Sequence, residues 1–424
     1  MRTVVTAARL WDGREAVDEP SIAIEDGRVA AIARRTSAEP PDPLAGRGFQ
    51  SPASIISQHG ALAVAIEGDG KTFHYPGATL APAFFDVHIH GAAGHDVMEA
   101  TPEALGAIGR FLASRGTAHY LATTVTAPVD ATLRSLEGLA KLIDDPQRIE
   151  GANGGHQPVA RPIGIHLEGP FLSHAKHGAQ PEEHLLAPDI ALFDRFLDAA
   201  GGHVRLMTLA PELPGAAELA RHATARGVRV SLGHSDATAD ETRAAIAAGA
   251  VSATHTFNAM RALNHREPGI LGVALTDDSL YAELICDGIH AKPEMAKLWW
   301  RAKGPERGIL VTDAMSAAGM PDGEYMLGEL AVQVANGRAL ARGVLAGSVL
   351  TLDRAIANFV AFTGAALEEA LRLVTVNPAA MTGLEDRAGT LAVGAPANLV
   401  AVDANGKLIA SMMSGEPVLN RTSA

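Results

Sequence analysis

From about residue 80 onward, short strand-like runs alternate with amphipathic helix-like segments, and this alternation limits the fold more than any other feature. The runs fall at 83–90, 120–126, 163–168, 204–209, 228–233, 251–256, 281–287 and 308–313. Helix candidates at 102–115, 130–143, 189–200, 215–226, 238–248 and 293–303 lie between most of them, and 350–363 follows the last. Parallel strands need long crossovers, which helices supply. Eight such units predict an α/β fold, a TIM-type (β/α)8 barrel whose chemistry gathers at the C-terminal strand ends. A doubly wound sheet is the alternative, but it would spread its ligands along a crevice. The gap between the sixth and seventh runs is the weakest part of the pattern, a loop with a poor helix.

The two ends of the chain have a different texture. Thr3-Val4-Val5, Ser21-Ile22-Ala23-Ile24 and Arg28–Ala33 read as short strands, with Glu25-Asp26-Gly27 as a hairpin turn. The tail returns to this texture at Gly389-Thr390-Leu391, Gly394–Asp403 and Lys407-Leu408-Ile409. Residues 1–80 and 383–424 are therefore expected to form a small β-sandwich beside a catalytic barrel spanning 81–382. Within the first segment, residues 36–72 read as a loop-rich insertion. Glu39-Pro40-Pro41-Asp42-Pro43 fits neither a helix nor a central strand, and Gly68-Asp69-Gly70 reads as a turn.

The 424 residues suffice for one large barrel with appendages, and 47% hydrophobic with 20% charged residues is an ordinary globular balance. A net charge of −13 argues against nucleic-acid and anionic-membrane surfaces, but not against a small anionic substrate met by a local Arg or Lys. The single cysteine, Cys286, excludes an intrachain disulfide and a Cys-based zinc cluster, and its apolar surroundings predict a core residue. No apolar run approaches the roughly 20 residues that span a bilayer. The first ten residues lack a signal-peptide pattern, so a soluble cytoplasmic protein is expected.

The strand ends carry the chemistry. Phe84–Gly91 places His88 and His90 on one face of the first strand. The third strand ends in Glu168, the fifth in His234, the sixth in His255, the seventh in Asp287-Gly288-Ile289-His290 and the eighth in Asp313. A bare His-x-His pair is weak evidence, and singly each of these residues has a structural reading as a turn, cap or hydrogen-bonding group. Together, four histidines and two carboxylates at barrel strand ends suit zinc or iron(II). Such an ion lowers the pKa of water and polarises a carbonyl. Asp313 is the candidate proton shuttle, and His290 the candidate donor to the carbonyl oxygen. His166 is set aside as supporting or packed.

In chain order HIHG, HLEGPF, LGHS, THTFNAM, REPG, DGIH and VTDAMSAAG resemble the N-acetylglucosamine-6-phosphate deacetylase family of the amidohydrolase superfamily. The likeness runs from about residue 80 to the C-terminus and more loosely through the first 35 residues. It implies a metal-bearing (β/α)8 barrel with a flanking β-sandwich and hydrolysis of an amino-sugar phosphate to acetate and the free amine, serving amino-sugar metabolism. By resemblance, Glu168, His234 and His255 hold one ion, Asp313 is the catalytic acid/base, and His88 and His90 support a second ion bridged by Glu168. Substrate contacts are implied for Gln180, Asn258, Ala259, Arg266, His290, Leu345, Ala346 and Gly347. The family further implies a homodimer in which Arg266 reaches the neighbouring active site. Gln180 stands where some relatives have histidine, Pro82-Ala83 replaces the usual Pro-Gly, and the 36–72 insertion is longer than the family pattern. The alternatives are an N-acetylgalactosamine-6-phosphate deacetylase or another amide hydrolase of the superfamily. Dihydroorotase-like enzymes carry a bridging lysine on the fourth strand, whereas Val204–Leu209 runs here into Ala210-Pro211-Glu212.

Overall fold

The computed structural model describes residues 2–34, 63–67, 70–152 and 157–418. Its centre is a parallel sheet of eight strands in sequential order: Phe84–Ile89 (β1), Thr117–Thr124 (β2), Arg161–Glu168 (β3), Val204–Leu209 (β4), Arg229–Leu232 (β5), Ala250–Ala253 (β6), Tyr281–Ile285 (β7) and Gly308–Val311 (β8). The barrel closes just beyond the ends of β8 and β1. The Asp313 N–H donates to the His88 carbonyl at 2.9 Å, and the His90 N–H donates to the Ala314 carbonyl at 2.8 Å. First and last strand ends are thus stitched together at the residues that carry the chemistry.

Helices cover the outside of the barrel. Pro102–Ser114 (α1), Val129–Asp144 (α2), Ile190–Ala199 (α3) and Ala216–Ala225 (α4) bury apolar positions three or four apart, such as Leu105, Ile108 and Leu112, or Phe193 and Phe196. Local sequence fixes where they start. Thr101 accepts from Ala104 N ahead of Pro102, and Asp189 accepts from Leu192 N. Thr238 and Glu241 form a capping box at the start of Ala239–Ala247 (α5).

The weak gap between the sixth and seventh runs holds Gly269–Thr276 (α6), in which Gly269–Leu275 are all buried. A helix covered on every side has no polar face, so no amphipathic period marks it in the sequence. Pro293–Arg307 (α7) and Leu352–Thr363 (α8) complete the ring, α7 being interrupted by non-helical backbone at Gly304. No element is predicted between 313 and 350, yet Gly323–Leu327, Leu330–Ala335, Arg338–Ala341 and Val344–Leu345 form a four-stranded antiparallel sheet. Leu327, Val332, Val334, Ala339 and Ala341 pack beneath it with Val125 and Met315.

The first and last segments join as expected. Arg2–Trp11 pairs with Pro20–Glu25 and in parallel with Gly70–Pro82, which pairs in turn with Leu399–Val402. The result is one nine-stranded sheet layered against the barrel. Alternation divides its two faces. Leu399, Ala401 and Met412 enter the sheet's own core with Leu10, Ile22 and Phe73, while Val400, Val402 and Met413 pack against the barrel with Phe84. The proline-rich stretch 39–43 and residues 68–69 of the expected turn lie outside the described residues. The end of the expected insertion is β structure, because Ala63–Glu67 pairs with Gly70–Pro82 with Glu67 opposite Gly70.

Because Leu399 is 2% exposed at the centre of that sheet core, Leu399→Ala should cost about 2–5 kcal/mol. Val393→Ala, at a residue that is 66% exposed, should stay within about 0.5 kcal/mol. Urea unfolding of the two variants beside wild type measures both. Equal midpoints would show that the sheet contributes nothing to the cooperative unit.

Candidate metal centre and active site

Six side chains converge at the C-terminal mouth of the barrel. His88 on β1 and His90 just past its end both aim Nε2 inward, and the acidic groups come from β3 and from the turn after β8. His234, His255 and Asp313 sit just past the ends of β5, β6 and β8 with left-handed backbone (φ 46°, 29° and 49°). Such a conformation costs a non-glycine residue of order 1–3 kcal/mol and collects at functional sites. Here it turns each side chain back over the barrel axis. Gly169 (φ 91°), directly after Glu168, packs so closely on Thr126 Oγ1 that a side chain there would collide with it.

The distances define two overlapping triads. Glu168 Oε1 lies 3.3 Å from His234 Nε2, 3.1 Å from His255 Nε2 and 3.3 Å from His88 Nε2. Its Oε2 lies 3.3 Å from His90 Nε2. Asp313 Oδ1 lies 3.2 Å from His90 Nε2 and 3.6 Å from His88 Nε2. His234 Nε2 and His255 Nε2 are 3.1 Å apart. Glu168, His234 and His255 form one group of mutually close ligand atoms, and His88, His90 and Asp313 the other.

These spacings fit a divalent ion. Two ligand atoms each about 2.0–2.1 Å from a tetrahedral centre stand about 3.3 Å apart. His88 Nε2 is buried without a hydrogen bond despite its carboxylate neighbours, as expected of a lone pair directed at a shared centre. Electrostatics agree. Burial alone would lower the His88 and His90 pKa values, but Glu168 and Asp313 outweigh it, raising His88 well above its ordinary value and His90 to about 9. Burial alone would raise the two carboxyls, yet the imidazoles hold Glu168 well below the usual range and Asp313 down at about 2. Two buried carboxylates facing four imidazoles thus make a centre in which positive charge is favoured, as a divalent cation would provide.

Partners behind the ligands orient them. His90 Nδ1 donates to the Thr123 carbonyl at 3.0 Å and His234 Nδ1 to the Lys176 carbonyl at 3.0 Å, leaving each Nε2 to face the centre. Gln180, expected at the substrate, donates from Nε2 to Glu168 Oε2 at 2.6 Å and accepts at Oε1 from Thr126 N at 2.8 Å. Both ends of its amide are engaged, although the residue also lines the pocket. His290 Nδ1 donates to Asp287 Oδ2 at 2.6 Å, and Asp287 Oδ1 caps the N–H groups of Ile289 and His290. Burial would lower the His290 pKa, but Asp287 outweighs it and raises it.

A cavity of about 320 Å³ opens over this cluster, lined by His90, Glu168, Gln180, His234, His255, Asn258, Ala259, His290, Asp313, Leu345 and Gly347 among others. His88 lies beneath it, fully buried. Ala346 is buried behind the rim and gives its N–H to the Ala339 carbonyl. Arg266 is not among the lining residues; its backbone N–H bonds Asn264 Oδ1 on the loop between β6 and α6. Sequence reasoning gave no role to Val125, Lys176, Leu327 or Val344, which line the cavity. Leu327 and Val344 belong to the unpredicted antiparallel sheet. Lys176, whose ammonium is 3.6 Å from Asp236, precedes Gly178-Ala179-Gln180 and was detectable only as a charge near that loop. Glu212, where a bridging lysine is missing, instead accepts from Ser235 Oγ and Asp236 N at 2.7 Å each, bracing the turn after β5.

Known proteins resemble this chain in sequence and in fold. Residues 79–420 match the model of the amidohydrolase family. An N-acetylgalactosamine-6-phosphate deacetylase of Escherichia coli O157:H7 is 37% identical over 95% of this chain and 96% of its own. An N-acetylglucosamine-6-phosphate deacetylase of Lysinibacillus sphaericus is 36% identical over 95% of this chain and 92% of its own. Among solved structures, a mutant N-acetyl-D-glucosamine-6-phosphate deacetylase of Mycobacterium smegmatis, in complex with N-acetyl-D-glucosamine-6-phosphate, superposes with a TM-score of 0.83 at 34% identity. That match covers 99% of this chain and 100% of the other. With a barrel closed at its ligand-bearing strand ends and a family match across most of its length, this chain belongs to the amidohydrolase family.

Proposed function

We propose that this chain hydrolyses the acetamide of N-acetylglucosamine 6-phosphate, giving glucosamine 6-phosphate and acetate. The observation that carries the reading is the convergence of Glu168, Asp313 and four imidazoles under a cavity whose wall also holds His290. Glu168, His234 and His255 would hold one ion, zinc or iron(II), and His88, His90 and Asp313 a second. When bound, such an ion acidifies water and polarises a carbonyl.

The chain's own groups supply the rest. With the acetamide carbonyl beside His290, its Nε2 donates to the oxygen as negative charge grows there, and Asp287 stabilises the charged imidazole. Asp313, ionised and facing the cavity, accepts a proton from the attacking water. The same proton passes to the amide nitrogen as the C–N bond breaks, so the water oxygen ends in acetate and the nitrogen leaves as the free amine. Asn258, Ala259, Leu345 and Gly347 surround the cavity and are placed to orient the sugar. Arg266 suits a phosphate dianion with its planar fork. Arg266 is exposed on the loop after β6, a position that suits a homodimer in which it serves the partner subunit. A soluble cytoplasmic enzyme accords with the finding that no helix among the described residues is long and apolar enough to cross a membrane.

A second reading, deacetylation of the 4-epimer, is favoured by the similarity to the E. coli enzyme. Acetate release from N-acetylglucosamine 6-phosphate, its 4-epimer and unphosphorylated N-acetylglucosamine, each with zinc or iron(II) restored, separates the two. Fastest turnover of the first supports the proposal, preference for the epimer installs the second reading, and no release from a metal-loaded enzyme defeats both.

Two variants probe the roles. Asp313→Asn should lower kcat by about 10²–10⁴-fold with the fold intact, and near-normal turnover would remove the shuttle. Arg266→Ala should raise KM for the phosphorylated sugar by about 10–100-fold, the loss of one charged hydrogen-bonding group. The unphosphorylated sugar should be almost unaffected, and steady-state kinetics on both substrates gives the comparison.

A further inference from the structure

Glu283, on β7, lies beneath the cavity and is 0% exposed. A buried carboxylate costs several kcal/mol unless other groups compensate it. Oε2 accepts from His88 Nδ1 at 3.2 Å and from the backbone N–H of His255 at 3.1 Å. Oε1 is shut off from solvent with no hydrogen-bond partner. The basic group this carboxylate meets is therefore an imidazole whose other nitrogen faces Glu168 and Asp313.

One oxygen thus reaches one member of each triad. On His88 it fixes the tautomer, since a proton committed to Nδ1 leaves the Nε2 lone pair pointing at the centre. On His255 it anchors the backbone of a residue held at φ 29°, whose Nε2 stands 3.1 Å from Glu168. His90 and His234 obtain the same orientation from neutral backbone carbonyls. Of these four histidines, His88 is the one whose Nδ1 faces a carboxylate.

We propose that Glu283 is a positioning residue that holds His88 and His255 in register and so ties the two triads into one two-ion centre. It touches neither the cavity nor the reacting atoms and acts through the ligands. The inference rests on the metal-centre reading above, and its test separates the two. Wild type, Glu283→Ala, Glu283→Gln and Glu283→Asp are loaded with zinc and dialysed against graded chelator. Bound ions per chain are counted by plasma emission spectroscopy, and thermal melts of each loaded protein report the fold.

Wild type should hold two ions. Glu283→Ala should release one of them at about 10–100-fold lower chelator concentration, the usual consequence of losing a ligand's supporting partner. Glu283→Gln keeps an oxygen able to accept both N–H groups and should stay within a few-fold of wild type. Glu283→Asp, shorter by one methylene, should behave like alanine, and it decides the matter should the alanine variant fail to fold. Folded Ala or Asp variants that hold both ions as tightly as wild type would overturn the inference. A glutamine variant as weak as alanine would also overturn it, because charge and not positioning would then be the contribution. A wild type that binds no ion would overturn the metal-centre reading and this inference with it.

Discussion

The structure depends on one buried carboxylate. Glu168 ends β3 with both oxygens inside the protein, and among the described residues no lysine or arginine forms an ion pair with it. It has instead four imidazole nitrogens within 3.1–3.3 Å and the Gln180 amide at 2.6 Å. Burying that charge uncompensated would cost several kcal/mol, a large share of a domain's margin of stability. The histidines answer the cost only because they arrive from three different strands, which requires the barrel to be closed. Closure in turn runs through Asp313 N and the His88 carbonyl, so the bond that seals the barrel also fixes two members of the site. Fold and centre are the same construction.

The stress of that arrangement is placed where it serves. Three members of the proposed centre follow their strands in left-handed backbone, and the loops around them are braced by polar contacts: Glu212 on the turn after β5, Asp287 on the turn after β7, and Ser348 donating its N–H to the Asp313 carbonyl at 2.7 Å. Each brace converts a costly conformation into a defined direction for a side chain. Beneath them the barrel interior is not the apolar filling usual for this architecture. His166 Nε2, Thr208, Thr254 and Ser231 form a hydrogen-bonded chain with spacings of 2.6–2.9 Å. A polar floor of this kind accepts imidazoles and carboxylates above it more readily than aliphatic packing would.

What the sequence disclosed follows from what leaves a period. Parallel strands and amphipathic helices repeat, so the eight barrel strands and most of the helix ring were legible, and so was each strand-end residue that now meets at the centre. Cys286 was rightly placed in the core. Three features left no period. The wholly buried α6 lacks a polar face. The sheet over 323–345 consists of strands of two to six residues with tight turns, too short to stand out. Glu283 sits inside an apolar run, and only the three-dimensional neighbourhood reveals that its partners are residues 195 and 28 positions away. Gln180 was expected at the substrate, and its bond to Glu168 at 2.6 Å is a contact that distance shows and motif does not.

This division has a consequence for how such a chain acquires specificity. The charged groups of the proposed centre are supplied by the ends of periodic strands, and changing any one of them disturbs a shared charge balance. The rest of the cavity wall is drawn from elsewhere: Lys176 and Ala179 from a loop after β3, Asn258 and Ala259 from the turn after β6, Leu327, Val344 and Leu345 from the added antiparallel sheet. These positions hold no ligand and carry little of the barrel core, so they can vary without unsettling the centre. Discrimination between sugar epimers, which differ in one hydroxyl direction, therefore belongs to the wall. A substrate assignment for such a chain therefore rests on the loops and not on the strand-end groups.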